Sequence, residues 1–319
     1  MLRPKSTVSQ LDGPRVAASR SERSIAATAI PTQTEYAGAA SQHLLHCGDA
    51  REMEWIPDAS VHLVVTSPPY FNLKRYNAHD AQLGNLADLD GFLDEIDKVW
   101  RHCYRVLIPG GRLVCNTGDV CLARRRNNGR HLVIPLHAHY SVRAERIGFD
   151  YLTPILWNKI ANAAFEAEGN GGGFLGKPYE PNGIIKNDIE YILMLRKHGA
   201  YRQPTSDQRS SSRLTKEEQA QWFRPVWADL RGESTKHHPA PFPVELAYRL
   251  VRMFSFTGDT VLDPFGGTGS TTLAAMKANR NSIMNELDAE YFQLARTKIV
   301  NAAAQQHLFR QTPQITVQP

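Results

Sequence analysis

The chain has 319 residues, of which 42% are hydrophobic and 22% charged, a composition typical of a soluble globular protein long enough to bury a core. No run of about 18 apolar residues occurs, which excludes a membrane span. Four cysteines without a CxxC pair exclude a disulfide scaffold and a zinc ribbon, so we expect reduced thiols, no metal site and a cytoplasmic location. The net charge of +5 permits a polyanionic partner without requiring one.

The amino-terminal stretch and the first strands differ sharply in composition. Residues 1–41 are rich in Ser, Ala, Thr and Arg and lack an apolar period, which predicts a disordered arm. Leu44-Leu45 predicts a short strand. The β-branched run at residues 61–66 predicts a second strand that ends at Ser67, because the two prolines that follow cannot continue a central strand.

The middle of the chain alternates regular and irregular segments. Apolar residues at helical spacing between Phe92 and Val106 predict a helix, which Pro109-Gly110-Gly111 should end before a strand at residues 112–116. Residues 152–157 and 189–195 are predicted as strands. The stretches 161–183 and 200–236 are polar without a sustained period, and loops of that length in a compact domain are usually functional.

The last third returns to regular structure. It predicts a helix containing Ala247 and Phe254, a strand at residues 260–263, a helix from Ser270 to Ala278 and a strand at residues 282–284. Strands that alternate with helices predict an α/β fold with a doubly wound, mostly parallel sheet.

A glycine-rich turn joins the strand at residues 260–263 to the next helix. This glycine turn, residues 263–269, reads Asp-Pro-Phe-Gly-Gly-Thr-Gly, and its glycines let the backbone approach a ligand closely. The acid at Asp263 repels a pyrophosphate but suits an ammonium, and Glu286 ends the next strand, where an acid binds a ribose diol. The pattern therefore favours a nucleoside that carries an amino acid, S-adenosylmethionine, over a dinucleotide.

A second turn, Ser67-Pro68-Pro69-Tyr70, follows the strand at residues 61–66 and is called the proline turn. Its prolines stiffen the backbone and remove N–H donors, which leaves carbonyl oxygens and the Ser67 hydroxyl as acceptors. Such acceptors suit the two hydrogens of an exocyclic amino group, whose lone pair they localise toward a methyl donor. Tyr70 supplies a flat face for stacking on the base.

The two turns together resemble those of the DNA amino-methyltransferases, and their order, proline turn first and glycine turn last, is that of the β group. Segments 46–49 (His-Cys-Gly-Asp), 155–159 (Ile-Leu-Trp-Asn-Lys) and 238–243 (His-Pro-Ala-Pro-Phe-Pro) extend the similarity to about residues 43–300. The resemblance implies a methyltransferase fold with a target-recognition insertion, S-adenosylmethionine as cofactor, and double-stranded DNA as substrate, with the target base flipped out of the duplex.

The resemblance also assigns roles to positions of this chain. Ser67, Pro68, Pro69 and Tyr70 would hold and activate the base. The implied cofactor-binding residues are Asp49, Phe242, Pro243, Asp263, Pro264, Phe265, Gly266, Gly267, Gly269 and Glu286. Beyond the arm, the implied division is a catalytic half (42–160), a target-recognition region that includes a core strand near 189–195 (161–236), a cofactor half (237–303) and a tail (304–319).

The implied polyanionic partner makes basic residues in three segments candidates for phosphate contact. The candidate DNA-binding residues are Lys74, Arg75, Arg124, Arg125, Arg126, Arg209 and Arg213. The resemblance also implies a cognate restriction endonuclease, a homodimer, a nucleoid-associated location in the cytoplasm, and a bacterial or phage origin.

The target atom stays open at this point. Serine at position 67 is the family's usual mark of cytosine-N4 chemistry, but a hydroxyl acceptor also serves adenine N6. Cytosine-C5 chemistry is disfavoured because no cysteine follows a proline. Two other classes compete with this reading: a protein amide methyltransferase, against which the order of the turns counts, and an inactive DNA-binding module, against which the intact turns count.

Overall fold

A nine-stranded sheet forms the centre of the protein. The computed structural model describes residues 40–71, 81–122, 127–159, 174–175, 184–185, 187–233, 243–306 and 312–318. The predicted arm therefore lies outside the described residues apart from Ala40 and Ser41.

The strands and helices are numbered in chain order. The strands are β1 (Gln42–Cys47), β2 (Val61–Thr66), β3 (Leu107–Gly118), β4 (Val120–Leu122), β5 (Leu132–Ile134), β6 (Phe149–Asn158), β7 (Phe174–Leu175), β8 (Ile184–Ile185), β9 (Ile189–Lys197), β10 (Val226–Trp227), β11 (Thr260–Asp263), β12 (Asn281–Glu286) and β13 (Gln314–Gln318). The helices are α1 (Leu89–Val106), α2 (Leu136–Ile147), α3 (Ser206–Ser211), α4 (Lys216–Trp222), α5 (Val244–Phe254), α6 (Ser270–Lys277) and α7 (Ala289–Gln306), with a short 3₁₀ turn at Leu83–Asn85.

The order of the strands confirms the doubly wound, mostly parallel sheet. It runs β10-β6-β9-β3-β2-β11-β12-β1-β13, and all neighbours are parallel except that β9 is antiparallel to both β3 and β6. Strands that follow β2 in the chain extend one half of the sheet, whereas β11 returns to pair with the other side of β2. This reversal of strand order places a crevice at the carboxyl ends of β2 and β11, where ligands bind in such sheets.

Helices cover both faces of the sheet. Leu63 and Val65 of β2 belong to the core under α5 and α6, whereas Val64 between them is buried on the other face. Helix α1 contacts β3, and its fully buried residues recur at the spacing that the sequence predicts. Its first turn is capped by Asp88, whose carboxylate accepts the N–H of Gly91 at 2.6 Å. Burial on both faces explains the nearly continuous apolar run of β2.

The prediction that Pro109-Gly110-Gly111 separates α1 from the next strand is wrong. Strand β3 begins at Leu107, directly after α1, and includes these three residues. Val61 pairs with Leu107 but Leu63 pairs with Arg112, so the extra residues form a bulge in β3. Gly110 has a φ of +76°, a conformation that glycine adopts without strain.

Residues 200–233 are also more regular than the sequence predicts. Helices α3 and α4 each begin with a capping box, Thr205 with Gln208 and Thr215 with Glu218. Both helices are too short to show an apolar period. This part of the predicted recognition region packs on the core, since Trp222 and Trp227 are buried against α5.

The carboxyl-terminal residues add a strand to the sheet. Strand β13, inside the predicted tail, pairs in parallel with β1, and the N–H of Gln314 donates to the Ser41 carbonyl at 2.8 Å. None of the described helices is long and apolar enough to cross a membrane.

We expect Trp227→Ala to lower the free energy of unfolding by about 3–5 kcal/mol, because it removes a buried ring and leaves a cavity. Trp227 is 1% exposed, and its indole N–H donates to the Trp222 carbonyl at 2.9 Å. Urea denaturation measures the change. Phe223→Ala in the same segment, at a ring that is 53% exposed, is the control and should cost far less; equal losses would contradict the core position of Trp227.

Candidate active-site cleft

A cleft of about 840 Å³ opens at the carboxyl ends of β1, β2, β11 and β12. It is called the carboxyl-edge cleft. The residues singled out by the sequence that line it are Asp49, Ser67, Pro68, Pro69, Asp263, Pro264, Phe265, Gly266, Gly267 and Glu286. The structure thus brings the proline turn and the glycine turn to one cavity, although they are far apart in the chain.

A buried hydrogen bond joins the two turns. The Thr66 hydroxyl donates to Oδ1 of Asp263 at 2.7 Å, and the N–H of Phe265 donates to the same oxygen at 3.1 Å. From the start of α6, the Thr271 hydroxyl donates to the Val65 carbonyl at 3.3 Å. Asp263 is only 5% exposed, so these donors hold both turns in one arrangement.

Glu286 joins the glycine turn to the end of β12. One of its oxygens accepts the N–H of Gly267 at 2.7 Å and the other accepts the N–H of Asp288 at 2.9 Å. Each carboxylate oxygen has a further lone pair with which to accept a hydroxyl. Sequence reasoning missed the neighbouring Asn285, whose amide donates to the carbonyls of Gly48 at 2.9 Å and Pro264 at 3.3 Å. Its position directly before Glu286 was the available signal.

The glycines of the turn are required by close approach and by backbone conformation. A Cβ at Gly266 would lie 2.3 Å from Cγ of Met284, so no side chain fits there. Gly267 and Gly269 have φ angles of +52° and +83°. Gly269 is the residue before α6 and does not line the cleft.

Burial shifts both acids of the cleft toward their neutral forms. It raises the pKa of Asp263 to about 6 and the pKa of Glu286 to about 7. An ionised carboxylate in such a site has little solvation, so a cationic or hydroxyl-bearing ligand gains more there than at the surface.

Asp49 lies in the cleft, but its carboxylate is already paired. Nη2 of Arg51 lies 2.5 Å from one Asp49 oxygen and Nε lies 2.9 Å from the other, while Nη1 reaches Glu95 at 2.6 Å. The arginine was not foreseen from the sequence. Contact between Asp49 and a cofactor stays a prediction.

Tyr70 is buried and lies on the other side of the proline turn. A Cβ added to Gly118, at the end of β3, would lie 3.3 Å from Cε1 of Tyr70 and 3.3 Å from Cγ of Glu190, so both side chains pack against this glycine. Glu190 accepts the amide N–H of Asn116 at 2.6 Å and the ammonium of Lys159 at 2.8 Å. Sequence reasoning noticed Lys159 but missed this polar cluster, because β9 supplies its acid.

Several predicted residues are not brought to the cleft. Pro243 precedes α5 and accepts the N–H of Ala247 at 3.1 Å, away from the residues that line the cavity. The predictions that lie outside the described residues concern Lys74, Arg75, Arg124, Arg125, Arg126 and Phe242.

Arg209 and Arg213 are exposed near the amino ends of the strands, whereas the cleft lies at the carboxyl ends. The side-chain amide of Gln208 donates to the Thr257 carbonyl at 3.1 Å, and Arg252 donates to the Arg213 carbonyl at 2.9 Å, which anchors α3 beside the start of β11. The structure therefore does not place these two arginines beside the proline turn, and their contact with DNA stays a prediction.

Two histidines from the clusters in the sequence, His43 and His137, have structural partners. Nδ1 of His43 lies 2.8 Å from the Ser282 hydroxyl, and Nδ1 of His137 lies 2.7 Å from Asp119, while Tyr191 stacks on the His137 imidazole. Within the described ranges no three His, Cys, Asp or Glu residues form a group suited to a metal ion.

The fold and the cleft together define an α/β protein with its candidate ligand site at the reversal of strand order. A family model described as DNA methylase matches residues 61–297. The type II methyltransferase M.MjaI of Methanocaldococcus jannaschii is 38% identical over 289 residues, which cover 81% of this chain and 91% of that protein. M.MthZI of Methanothermobacter thermautotrophicus is 34% identical, over 81% of this chain and 76% of its own length.

Two solved structures resemble the chain in three dimensions. The putative DNA modification methylase TTHA0409 of Thermus thermophilus, in complex with S-adenosylmethionine, has a TM-score of 0.70 and 48% identity, covering 87% of this chain and 99% of that one. The cytosine-N4-specific PvuII DNA methyltransferase has a TM-score of 0.57 at 19% identity, covering 88% of this chain and 98% of that one, which shows the shared fold alone.

The chain belongs to the DNA methylase family whose members modify amino nitrogens of bases. Its proline turn precedes its glycine turn, which is the order of the β group, so the resemblance seen in the sequence is confirmed.

We expect Thr66→Val to lower the free energy of unfolding by about 1–3 kcal/mol at pH 8, because it removes the hydroxyl donor at 2.7 Å from the ionised, buried Asp263 and leaves it the longer bond from the Phe265 N–H. The protonated acids stabilise the fold, since their folded pKa values are raised to about 6 and about 7. That contribution is complete below about pH 4 and is lost as pH rises through those values.

Urea denaturation at pH 5 and pH 8 measures this effect, and the loss should be smaller at pH 5. Thr316→Val, at an exposed position of β13, is the control and should change little at either pH. A loss in Thr66→Val that is independent of pH would contradict the pairing of Thr66 with the carboxylate.

Proposed function

We propose that the chain transfers a methyl group from S-adenosylmethionine to the exocyclic amine of a DNA base, cytosine N4 in the first instance. The observation that carries the proposal is the shared cleft: Ser67 and Pro68 line the same cavity as Asp263 and Gly267. Methyl transfer requires the amine to lie beside the cationic methyl donor. The turn that binds the amine and the acidic turn that binds the cofactor must therefore be adjacent.

The residues of the carboxyl-edge cleft fit S-adenosylmethionine. Asp263 offers a buried carboxylate for the ammonium of the methionine part, and Gly266 presents bare backbone at the cleft wall. Glu286 has lone pairs left for the ribose hydroxyls. When bound, the cofactor supplies a methyl group on a sulfonium, which is electrophilic without a metal or a covalent enzyme intermediate.

The proline turn prepares the amine for attack. The Ser67 hydroxyl and the Pro68 carbonyl accept its two hydrogens, which draws the nitrogen out of conjugation and localises its lone pair. The nitrogen would form one bond to the methyl carbon as the bond from that carbon to sulfur breaks, with the electron pair staying on sulfur, and the nitrogen would lose one proton to water. The work of the protein is therefore positioning and activation of the lone pair, which lowers a barrier mainly through orientation.

The far side of the proline turn supports a pocket for a flipped base. Tyr70 lies against Gly118, and the cluster of Asn116, Glu190 and Lys159 lies beside it. Stacking on an aromatic ring contributes roughly 1–3 kcal/mol per base. Amide, carboxylate and ammonium groups supply both donors and acceptors for the edge of a base.

Cytosine N4 is proposed over adenine N6 because of Ser67. A neutral hydroxyl at this position is the cytosine-N4 mark of the family, but both targets are conjugated amines and the family covers both. Adenine N6 is therefore the second candidate. A cognate restriction endonuclease and a homodimer, which the resemblance of the sequence implies, belong to the same proposal.

The product identifies the target atom. Purified protein incubated with tritiated S-adenosylmethionine and mixed-sequence duplex DNA should label the DNA, and the labelled nucleoside should co-migrate with N4-methylcytosine. N6-methyladenine would establish the second candidate instead. Unlabelled DNA, with cofactor binding demonstrated by calorimetry, would contradict the proposed activity.

The two turns should separate in their mutational effects. Tyr70→Ala should lower kcat/KM for DNA by a factor equivalent to a loss of about 1–3 kcal/mol of transition-state stabilisation. The Kd for the cofactor should stay nearly unchanged. Asp263→Asn keeps the acceptor for Thr66 but removes the charge, and should weaken cofactor binding by about 1.5–3 kcal/mol.

Single-turnover kinetics and calorimetry measure these two quantities. Tyr151→Ala is the control for Tyr70, since Tyr151 is 39% exposed and does not line the cleft. Equal effects of Tyr70→Ala and Asp263→Asn on both quantities would contradict the division between the turns.

A further inference from the structure

A second cavity lies at the opposite edge of the sheet from the carboxyl-edge cleft. It has a volume of about 880 Å³ and lies where β2, β3 and β11 begin, beside His62, Arg112 and Asp259. It is called the amino-edge cavity. Because the two cavities lie at opposite ends of the same strands, they share no lining residue.

Three arginines line the amino-edge cavity. Arg202 pairs with Asp259, and Nη2 of Arg252 lies 3.2 Å from Glu218. Arg112, by contrast, forms no ion pair with any carboxylate of the described residues. Burial lowers the pKa of Arg112, while Tyr201, which shares a hydrogen bond with its side chain, raises it and the nearby Arg196 lowers it. The cavity wall therefore holds an excess of positive charge at Arg112.

Nitrogen atoms at this wall lack hydrogen-bond partners. Nε of Arg112 and Nε of Arg252 are buried, and neither finds an acceptor among the residues that the structure describes. Nε2 of His62 is also unbonded, at 3.7 Å from Asp259. Buried donors are normally satisfied, so unpaired ones at a cavity indicate a missing acceptor.

Aromatic rings hold the Arg112 side chain in place. Its guanidinium carbon lies 5.0 Å from the ring centre of Phe254 and 5.9 Å from that of Tyr201. A guanidinium fixed by stacking loses little entropy when its planar fork binds a bidentate oxoanion.

We propose that the amino-edge cavity is a binding site for a phosphate-class oxoanion, held by Arg112 together with Arg202 and Arg252. A bound anion offsets the charge of Arg112, which lacks a carboxylate partner among the described residues. The oxygens of a phosphate also supply acceptors for the Nε atoms of Arg112 and Arg252. The exposed Arg209 and Arg213 lie at the same edge and extend the basic surface beyond the cavity.

The phosphate has two sources with the same chemistry: a free anion or the backbone of a nucleic acid. The site does not depend on the proposed methyl transfer, since it lies at the other edge and uses none of the same residues. Binding is measured without S-adenosylmethionine and without turnover, so failure of this proposal is distinguishable from failure of the proposed function.

The test is a titration of the full chain with inorganic phosphate at constant ionic strength, followed by calorimetry and by the thermal midpoint. Wild-type protein should bind phosphate saturably, with a midpoint that rises with occupancy. Arg112→Met keeps the stacked stem and removes the fork, and should raise the phosphate Kd at least about tenfold, in line with a lost charge-assisted hydrogen bond.

Arg196→Met is the matched control. Arg196 pairs with Arg112 across β3 and β9 and stacks on the same Tyr201 ring at 5.1 Å, but it does not line the cavity. It removes the same unit of charge, but Asp150 at 3.0 Å already offsets that charge, so the phosphate Kd should change by less than about twofold. Should Arg112→Met fail to fold, Arg252→Met on the other wall provides the same comparison.

Absence of saturable binding by the wild type, or equal weakening by Arg112→Met and Arg196→Met, would overturn the site. A short mixed-sequence duplex then identifies the source. Displacement of phosphate by the duplex in wild type, with weaker binding of the duplex itself by Arg112→Met, assigns the site to a backbone phosphate. Simultaneous binding of phosphate and duplex assigns it to a free anion.

Discussion

The hydrogen bond from Thr66 to Asp263 is the contact on which the site depends. It joins the end of β2 to the end of β11 at 2.7 Å, across 197 positions of sequence. Pro68 follows β2 and Pro264 follows β11, and both segments leave the sheet at the carboxyl ends of these strands. Without that bond, a buried carboxylate would lose a donor at the point where the two turns meet.

The parallel sheet makes this contact possible. Because β2 and β11 are parallel neighbours, their carboxyl ends lie side by side and both turns emerge at one edge. Glu286 and Asn285 extend the arrangement to β12 and β1 through bonds to Gly267 and Gly48. The opposite edge receives the starts of the same strands, where the basic amino-edge cavity lies.

Most of this arrangement was predictable because the signals are local. Prolines end β2, the glycine turn needs bare backbone, and the spacing in α1 and α5 records which faces are buried. The less local features were not predictable. Arg51 reaches Glu95, and Glu190 meets Asn116 and Lys159, only because distant segments fold together. The capping boxes of α3 and α4 could be recognised in the sequence, but the two helices are too short to show a helical period of apolar residues.

The most direct test of the account is a crystal structure of the protein with S-adenosylmethionine. The account predicts the ammonium at Asp263, the ribose hydroxyls at Glu286, and the sulfonium methyl directed at the Ser67 hydroxyl and the Pro68 carbonyl. A cofactor bound outside the carboxyl-edge cleft, or one whose methyl group points away from the proline turn, would contradict it.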